Sequence, residues 1–185
     1  PMPSELELTS KSGVVCLEGE KEQTAEIAYN LAFEDIQEGN TVYWIDGGSL
    51  LDPSRMISSI SNTKISQGYL NNLYACRAFT AHQMAEIFKR MEEANEETKK
   101  IEEDSLMIIT ELHAMFLDNQ LSTAEGTMLL TNTLHRIKAI SKDRGLTVLI
   151  TANKNNNRPT PRNIKQIMRD SADEYVLCLL YTSDA

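Results

Sequence analysis

The chain has 185 residues, 41% of them apolar and 24% charged, which suits one globular domain with a sizeable core. Its net charge of −9 excludes a general nucleic-acid coat, which needs a basic surface, and leaves room only for a local basic patch. No apolar run reaches the length of a membrane span, no secretory signal opens the chain, and three cysteines without paired spacing give neither a disulfide framework nor a zinc site.

Residues 1–12 are polar and read as a tail or lead-in strand. Val14-Val15-Cys16-Leu17 is a short apolar, β-branched run and predicts a buried strand. From Gln23 onward Ile27, Ala28, Leu31 and Ala32 recur at helical spacing, and Gly39 is a good stop for that helix. Strand, tight turn and helix form the frame of a phosphate-binding loop, but the chemistry is missing. Such a loop needs two glycines, a phosphate Lys and a Ser/Thr for magnesium. Residues 17–25 supply Gly19 alone, with Glu18, Glu20 and Glu22 around Lys21. Two like charges about 4 Å apart repel by roughly 4 kcal/mol at an effective dielectric of about 20, so these three acids are expected to oppose a triphosphate. Lys21 alone does not offset them, and no cofactor or metal is expected.

Thr41-Val42-Tyr43-Trp44-Ile45 reads as a second strand closed by Asp46, Gly47 and Gly48. Asp52 and Pro53 mark the start of a helix through Met56, Ile57 and Ile60, and residues 61–72 read as a loop. Residues 73–76 are a third strand. Thr80 and Gln83 have capping-box spacing, and Met84, Ile87, Phe88 and Met91 form an apolar stripe behind them. Residues 92–104 are a mostly acidic, solvated segment. Residues 105–110 are the strongest buried strand, and residues 118–126 a loop. Leu130, Leu134, Ile137 and Ile140 face a core from a helix that Gly145 ends. Residues 146–151 are a further buried strand, 152–161 irregular, 163–169 a short helix and 174–179 a last strand. Strands alternating with helices predict an α/β fold with an open, mostly parallel sheet and helices on both faces. Cys16, Cys76 and Cys178 all fall in strand-like runs and read as core thiols of a reducing compartment. His82, His113 and His135 lack ligand spacing and read as structural.

Three stretches together resemble the RecA/RadA recombinase core. Val42-Tyr43-Trp44-Ile45-Asp46 with Pro53 and Arg55 is similar to that family's second strand and following turn. Cys76-Arg77-Ala78-Phe79 with His82-Gln83 is similar to its Ala-Arg-Ala-Phe…His-Gln stretch. Residues 134–154 resemble its long helix, glycine turn and strand, with Thr151-Ala152-Asn153 at a Thr-Asn-Gln-like corner. The resemblance spans residues 13–177 and implies a RecA-like core domain. The tail 178–185, CLLYTSDA, is similar to translated sequencing adapter and is expected to be non-native.

The departures from the family are as informative. Its phosphate Lys falls at Thr24, its magnesium Ser/Thr at Ala25, its strand-end Asp at Thr110 beside Glu111, and its catalytic Glu at Gly48. With Gly19 and Lys21 these residues form a degenerate nucleotide site. The resemblance therefore implies a non-hydrolysing recombinase paralogue in homologous-recombination DNA repair. It implies a heteromeric complex with the recombinase and other paralogues, and an intracellular protein, nuclear in a eukaryote and cytoplasmic in an archaeon. Lys154, Arg158, Arg162, Lys165 and Arg169 form an acid-free basic stretch, with Asn155, Asn156 and Asn157, where recombinases carry a second DNA loop. They are expected to contact the phosphates of single-stranded or duplex DNA. Residues 118–126 correspond to the first DNA loop but carry no Arg. Cys76, Ala78, Met84 and Ile87 are expected to line a groove for a partner's aromatic anchor. Two other readings stay open: a structural RecA-fold subunit of an Elongator-like tRNA-modification complex, and an ATPase with an aberrant phosphate loop.

Overall fold

The computed structural model describes residues 13–47, 51–52, 54, 67–94, 105–154 and 158–178. Pro53 and residues 55–60 of the predicted helix, residues 61–66 of the expected loop, residues 95–104 of the acidic segment, the Asn155-Asn156-Asn157 run, the position of Gly48, and the tails 1–12 and 179–185 lie outside them. Six strands form one open, all-parallel sheet in the order β3-β2-β4-β5-β1-β6. They are β1 Val14–Gly19, β2 Val42–Asp46, β3 Leu73–Arg77, β4 Leu106–Thr110, β5 Thr147–Asn153 and β6 Glu174–Leu177. Five α-helices are described: α1 Lys21–Gln37, α2 Ala81–Glu93, α3 Leu112–Met115, α4 Thr123–Arg144 and α5 Arg162–Ser171. A 3-10 turn, Gln67–Asn72, precedes β3 where a loop was expected.

Strand alternation divides the core between the two faces of the sheet. Val15, Leu17, Trp44, Ile108 and Leu149 pack with Ala28, Ala32 and Ile36 of α1 on one side. Cys16, Ile45, Ile109 and Ile150 pack with α2, α4 and α5 on the other. The reversal follows from chain direction. The connection from β1 travels across β5 and β4 toward β2, whereas those from β3, β4 and β5 travel the opposite way. A single crossover hand puts opposite directions of travel on opposite faces.

Local signals set the helix ends. The Thr80 hydroxyl accepts the Gln83 N–H at 3.1 Å, and the Gln83 side chain accepts the Phe79 N–H at 2.8 Å. Gly145 sits at φ +64, the left-handed stop that closes α4. That helix starts at Thr123, because the Ser122 hydroxyl accepts the Glu125 N–H. The expected loop over 118–126 therefore ends at Ser122. Helix α1 starts at Lys21, two residues before the predicted Gln23.

Candidate functional site

In an open parallel sheet, ligands bind outside the carboxyl ends of the strands, at points where neighbouring strands send their connections in opposite directions. Here β1 leads away from β6 and the adjacent β5 leads toward it, so one such crevice lies between Gly19 and Asn153. A second lies between β2 and β4, at Asp46 and Thr110. The sequence-expected nucleotide residues converge on these ends, apart from Gly48, which lies outside the described residues.

The crevice of β1 and β5 is closed by its own side chains. Only Glu20 separates the end of β1 from the start of α1, so no loop is left to cradle a phosphate. The Thr24 hydroxyl, fully buried, donates to the Asn153 side-chain oxygen at 2.6 Å. A Cβ on Gly19 would meet Cys178 Cβ at 2.6 Å and Thr24 Cγ2 at 3.3 Å. This glycine serves close packing of Thr24 and Cys178. Ala25 is buried in the core against the sheet, and Lys21 is exposed. Cys178, the first residue of the expected tail, is buried, and its N–H donates to the Glu18 carbonyl at 2.7 Å.

Glu18 is not one of the acids crowding this turn. It alternates with Leu17 and so faces the α5 side, away from α1. It is 5% exposed, accepts Lys165 Nζ at 3.0 Å and accepts the Tyr175 hydroxyl at 2.6 Å. Burial pushes its carboxyl up, but the hydrogen bonds from Tyr175 and Lys165 and the charges of Lys165 and Lys154 outweigh that and hold it below the usual carboxylate range. His113 lines the same small pocket beside Glu18 and Lys165, with Nδ1 unpartnered among the described residues. Burial lowers its imidazole to about 4, opposed by the Glu18 charge and reinforced by Lys165.

At the second crevice Asp46 is fully buried. Arg77 Nε donates to it at 3.1 Å, the Thr110 hydroxyl at 2.7 Å and the Leu51 N–H at 3.2 Å. Thr110, standing where the resemblance puts an acid, is thus a donor to a neighbouring acid. Glu111 follows at φ 56, ψ 37, the one left-handed non-glycine among the described residues. Its Oε1 accepts the Asn153 N–H at 2.7 Å. Burial pushes its carboxyl up to about 7, with Asp46 adding and the Asn153 N–H and Lys21 opposing.

The basic stretch divides. Lys154, Arg158 and Arg162 are exposed. Lys165 is held inward by Glu18, and the Arg169 guanidinium lies over the Tyr175 ring at 4.8 Å. These two residues anchor α5 to β1 and β6. The expected groove divides as well. Ala78 and Met84 are core residues and Ile87 packs partly against that core, whereas Cys76 is exposed. The exposed apolar side chains near Cys76 are Tyr74, 58% exposed, and Phe79, 72% exposed. Cys76 is not a core thiol, because β3 is an edge strand whose outer residues meet solvent.

Sequence reasoning named Asp46 and Asn153 only within the resemblance and read His113 as structural, and it assigned none of them, nor the pairing of Glu18 with Lys165 and Tyr175, a place in the site. An acid two residues beyond Cys16 on an inward-facing register was the available signal for the last, since a buried carboxylate requires a partner. No helix among the described residues is long and apolar enough to cross a membrane, and no cluster of three or more His, Cys, Asp or Glu among them could hold a metal ion. Comparison of the chain with protein-family models and with curated proteins finds no match.

Proposed function

We propose that this protein is a RecA-fold recombinase paralogue that acts in homologous-recombination repair by binding its partners, without hydrolysing ATP. The observation that carries the reading is the Cys76–Gln83 stretch, which resembles the recombinases residue for residue at Arg77, Ala78, Phe79, His82 and Gln83. It occupies the edge strand and the start of α2 in a parallel α/β sheet. On this reading the docking surface is the end of that edge, a placement supported by the exposure of Tyr74 and Phe79 and the burial of Ala78. The single-residue junction at Glu20 supports the non-hydrolytic half of the reading. Co-purification of the tagged chain from its source cells is expected to bring down the recombinase or its paralogues, and Phe79→Ala is expected to lose them while the protein stays folded. Recovery of tRNA-modification subunits instead would overturn the reading. Calorimetry with ATP and magnesium is expected to show no binding by the isolated chain; micromolar binding abolished by Lys21→Ala would restore an ATPase.

DNA contact, on this reading, runs through Lys154, Arg158 and Arg162. Each neutralised phosphate contributes about −0.9 to the slope of log K against log salt on duplex and about −0.7 on single strands. Joint Lys154→Ala and Arg162→Ala replacement is expected to flatten the slope by about 1.8 on duplex or about 1.4 on single strands, equally across sequences. Fluorescence anisotropy over a salt series reads this, and an unchanged slope would place the contact elsewhere.

A further inference from the structure

We infer that Glu111 is a latch that ties the carboxyl ends of β4 and β5 to α1, and that raising the pH releases it. The geometry stands on three observations. Glu111 is a non-glycine residue in the left-handed region, a conformation that persists only where the surroundings over-determine it. What holds it here is two-fold: its own N–H donates to the Thr151 carbonyl at 3.2 Å, and its Oε1 accepts the Asn153 N–H at 2.7 Å. Asn153 in turn accepts the Thr24 hydroxyl at 2.6 Å. The carboxyl therefore fastens the turn after β4 to the last residue of β5, and the side chain of that residue carries the connection on to the first turn of α1.

The latch carries a cost that depends on its charge. The charged groups acting on it are Lys21 from α1, which favours the carboxylate, and Asp46 from β2, which disfavours it. Asp46 is itself held by Arg77 of β3, while β5 offers Glu111 only the uncharged Thr151 and Asn153. Burial outweighs these and raises the closed-state carboxyl from its ordinary value of 4.5 to about 7. An opened latch ionises at the ordinary value. Opening therefore releases a proton between about pH 4.5 and 7 and is favoured as pH rises through that window, with no further change on either side of it. Opening relieves the backbone strain, hydrates the carboxylate and uncovers Thr24 and the strand ends at the crevice. This inference does not depend on the recombination reading.

Amide hydrogen exchange by NMR on the whole chain tests it. After correction for the base-catalysed intrinsic rate, protection of the Asn153 N–H is expected to fall on the order of 100-fold from pH 4.5 to 7 and then to level. Glu111→Gln, whose amide oxygen can accept the same N–H at every pH, is expected to abolish that dependence. The wild-type Glu111 carboxyl carbon, followed by NMR, is expected to titrate near neutrality, so the test does not hinge on the variant's folding. A carboxyl that titrates near 4.5, or a pH dependence of Asn153 protection that survives in Glu111→Gln, overturns the latch.

Discussion

Replacing Asp46 by Ala is expected to destabilise the protein by about 2–3 kcal/mol, because it removes the charged acceptor of a buried hydroxyl and a backbone N–H, while the partly exposed Arg77 can rehydrate. Asp46 is fully buried and satisfies three donors from three parts of the chain: Arg77 on β3, Thr110 on β4 and the Leu51 N–H after β2. The substitution leaves the Thr110 hydroxyl without its acceptor inside the sheet, and an unsatisfied buried polar group adds its own desolvation penalty. It also releases Arg77, which holds the Leu51 carbonyl at 3.2 Å through a second nitrogen. Asp46→Asn keeps an acceptor of the same shape and is expected to cost less than the Ala variant. Urea unfolding at neutral pH measures both, and a loss below about 1 kcal/mol in the Ala variant would mean that the charge is not structural.

The second large effect is a pair of opposed pH profiles. His113 is buried with its imidazole lowered to about 4 from an ordinary 6.5. The folded state therefore stays neutral while the unfolded chain takes up a proton, and stability is lost as pH falls from 6.5 to 4. A tenfold difference in proton affinity between the folded and unfolded states is worth about 1.4 kcal/mol, so His113 accounts for a loss of roughly 3 kcal/mol across that window. Glu111 has the opposite sign. Its folded carboxyl is raised to about 7 from 4.5, so its contribution is present below 4.5 and lost as pH rises through 7. The windows overlap and the two slopes nearly cancel in the intact protein. Each variant uncovers the other group. Relative to wild type, His113→Leu is expected to become progressively more stable as pH falls from 6.5 to 4, and Glu111→Gln as pH rises from 4.5 to 7. Denaturant titrations at half-unit pH intervals give the difference profiles directly. A flat difference for His113→Leu would show that its Nδ1 is hydrated in the folded state.

Lys165 illustrates how a residue changes meaning once its neighbours are known. By spacing alone it belongs to a basic stretch of five and reads as a phosphate contact. In three dimensions its ammonium meets Glu18, which lies 147 residues away in the chain. No local pattern contains that pairing, because it depends on β6 and α5 closing against β1. Ala78 changes in the same way: it is small and apolar and suits either a groove or a core, and only the packing of α2 against the sheet makes it core.

By itself the sequence determined the elements and the class of fold. Short β-branched runs at Val14, Val42, Leu106 and Thr147, with helical apolar stripes between them, dictate alternating strands and helices, since period and propensity are local properties. It also determined the helix stops at Gly39 and Gly145 and the cap at Thr80, each a matter of a few neighbouring atoms. Only the tertiary structure decided that every strand is parallel, that the order is β3-β2-β4-β5-β1-β6, and that α1 packs on one face while α2, α4 and α5 pack on the other. Only the tertiary structure turned Glu18 away from the phosphate position and shortened the turn before α1 to Glu20. It also brought Asp46, Thr110, Glu111, Asn153 and Thr24 together at the ends of four different elements. The physical reason is the same throughout: polar groups at strand ends are bonded by whichever strands become neighbours, and neighbours in a crossover sheet are far apart in the chain.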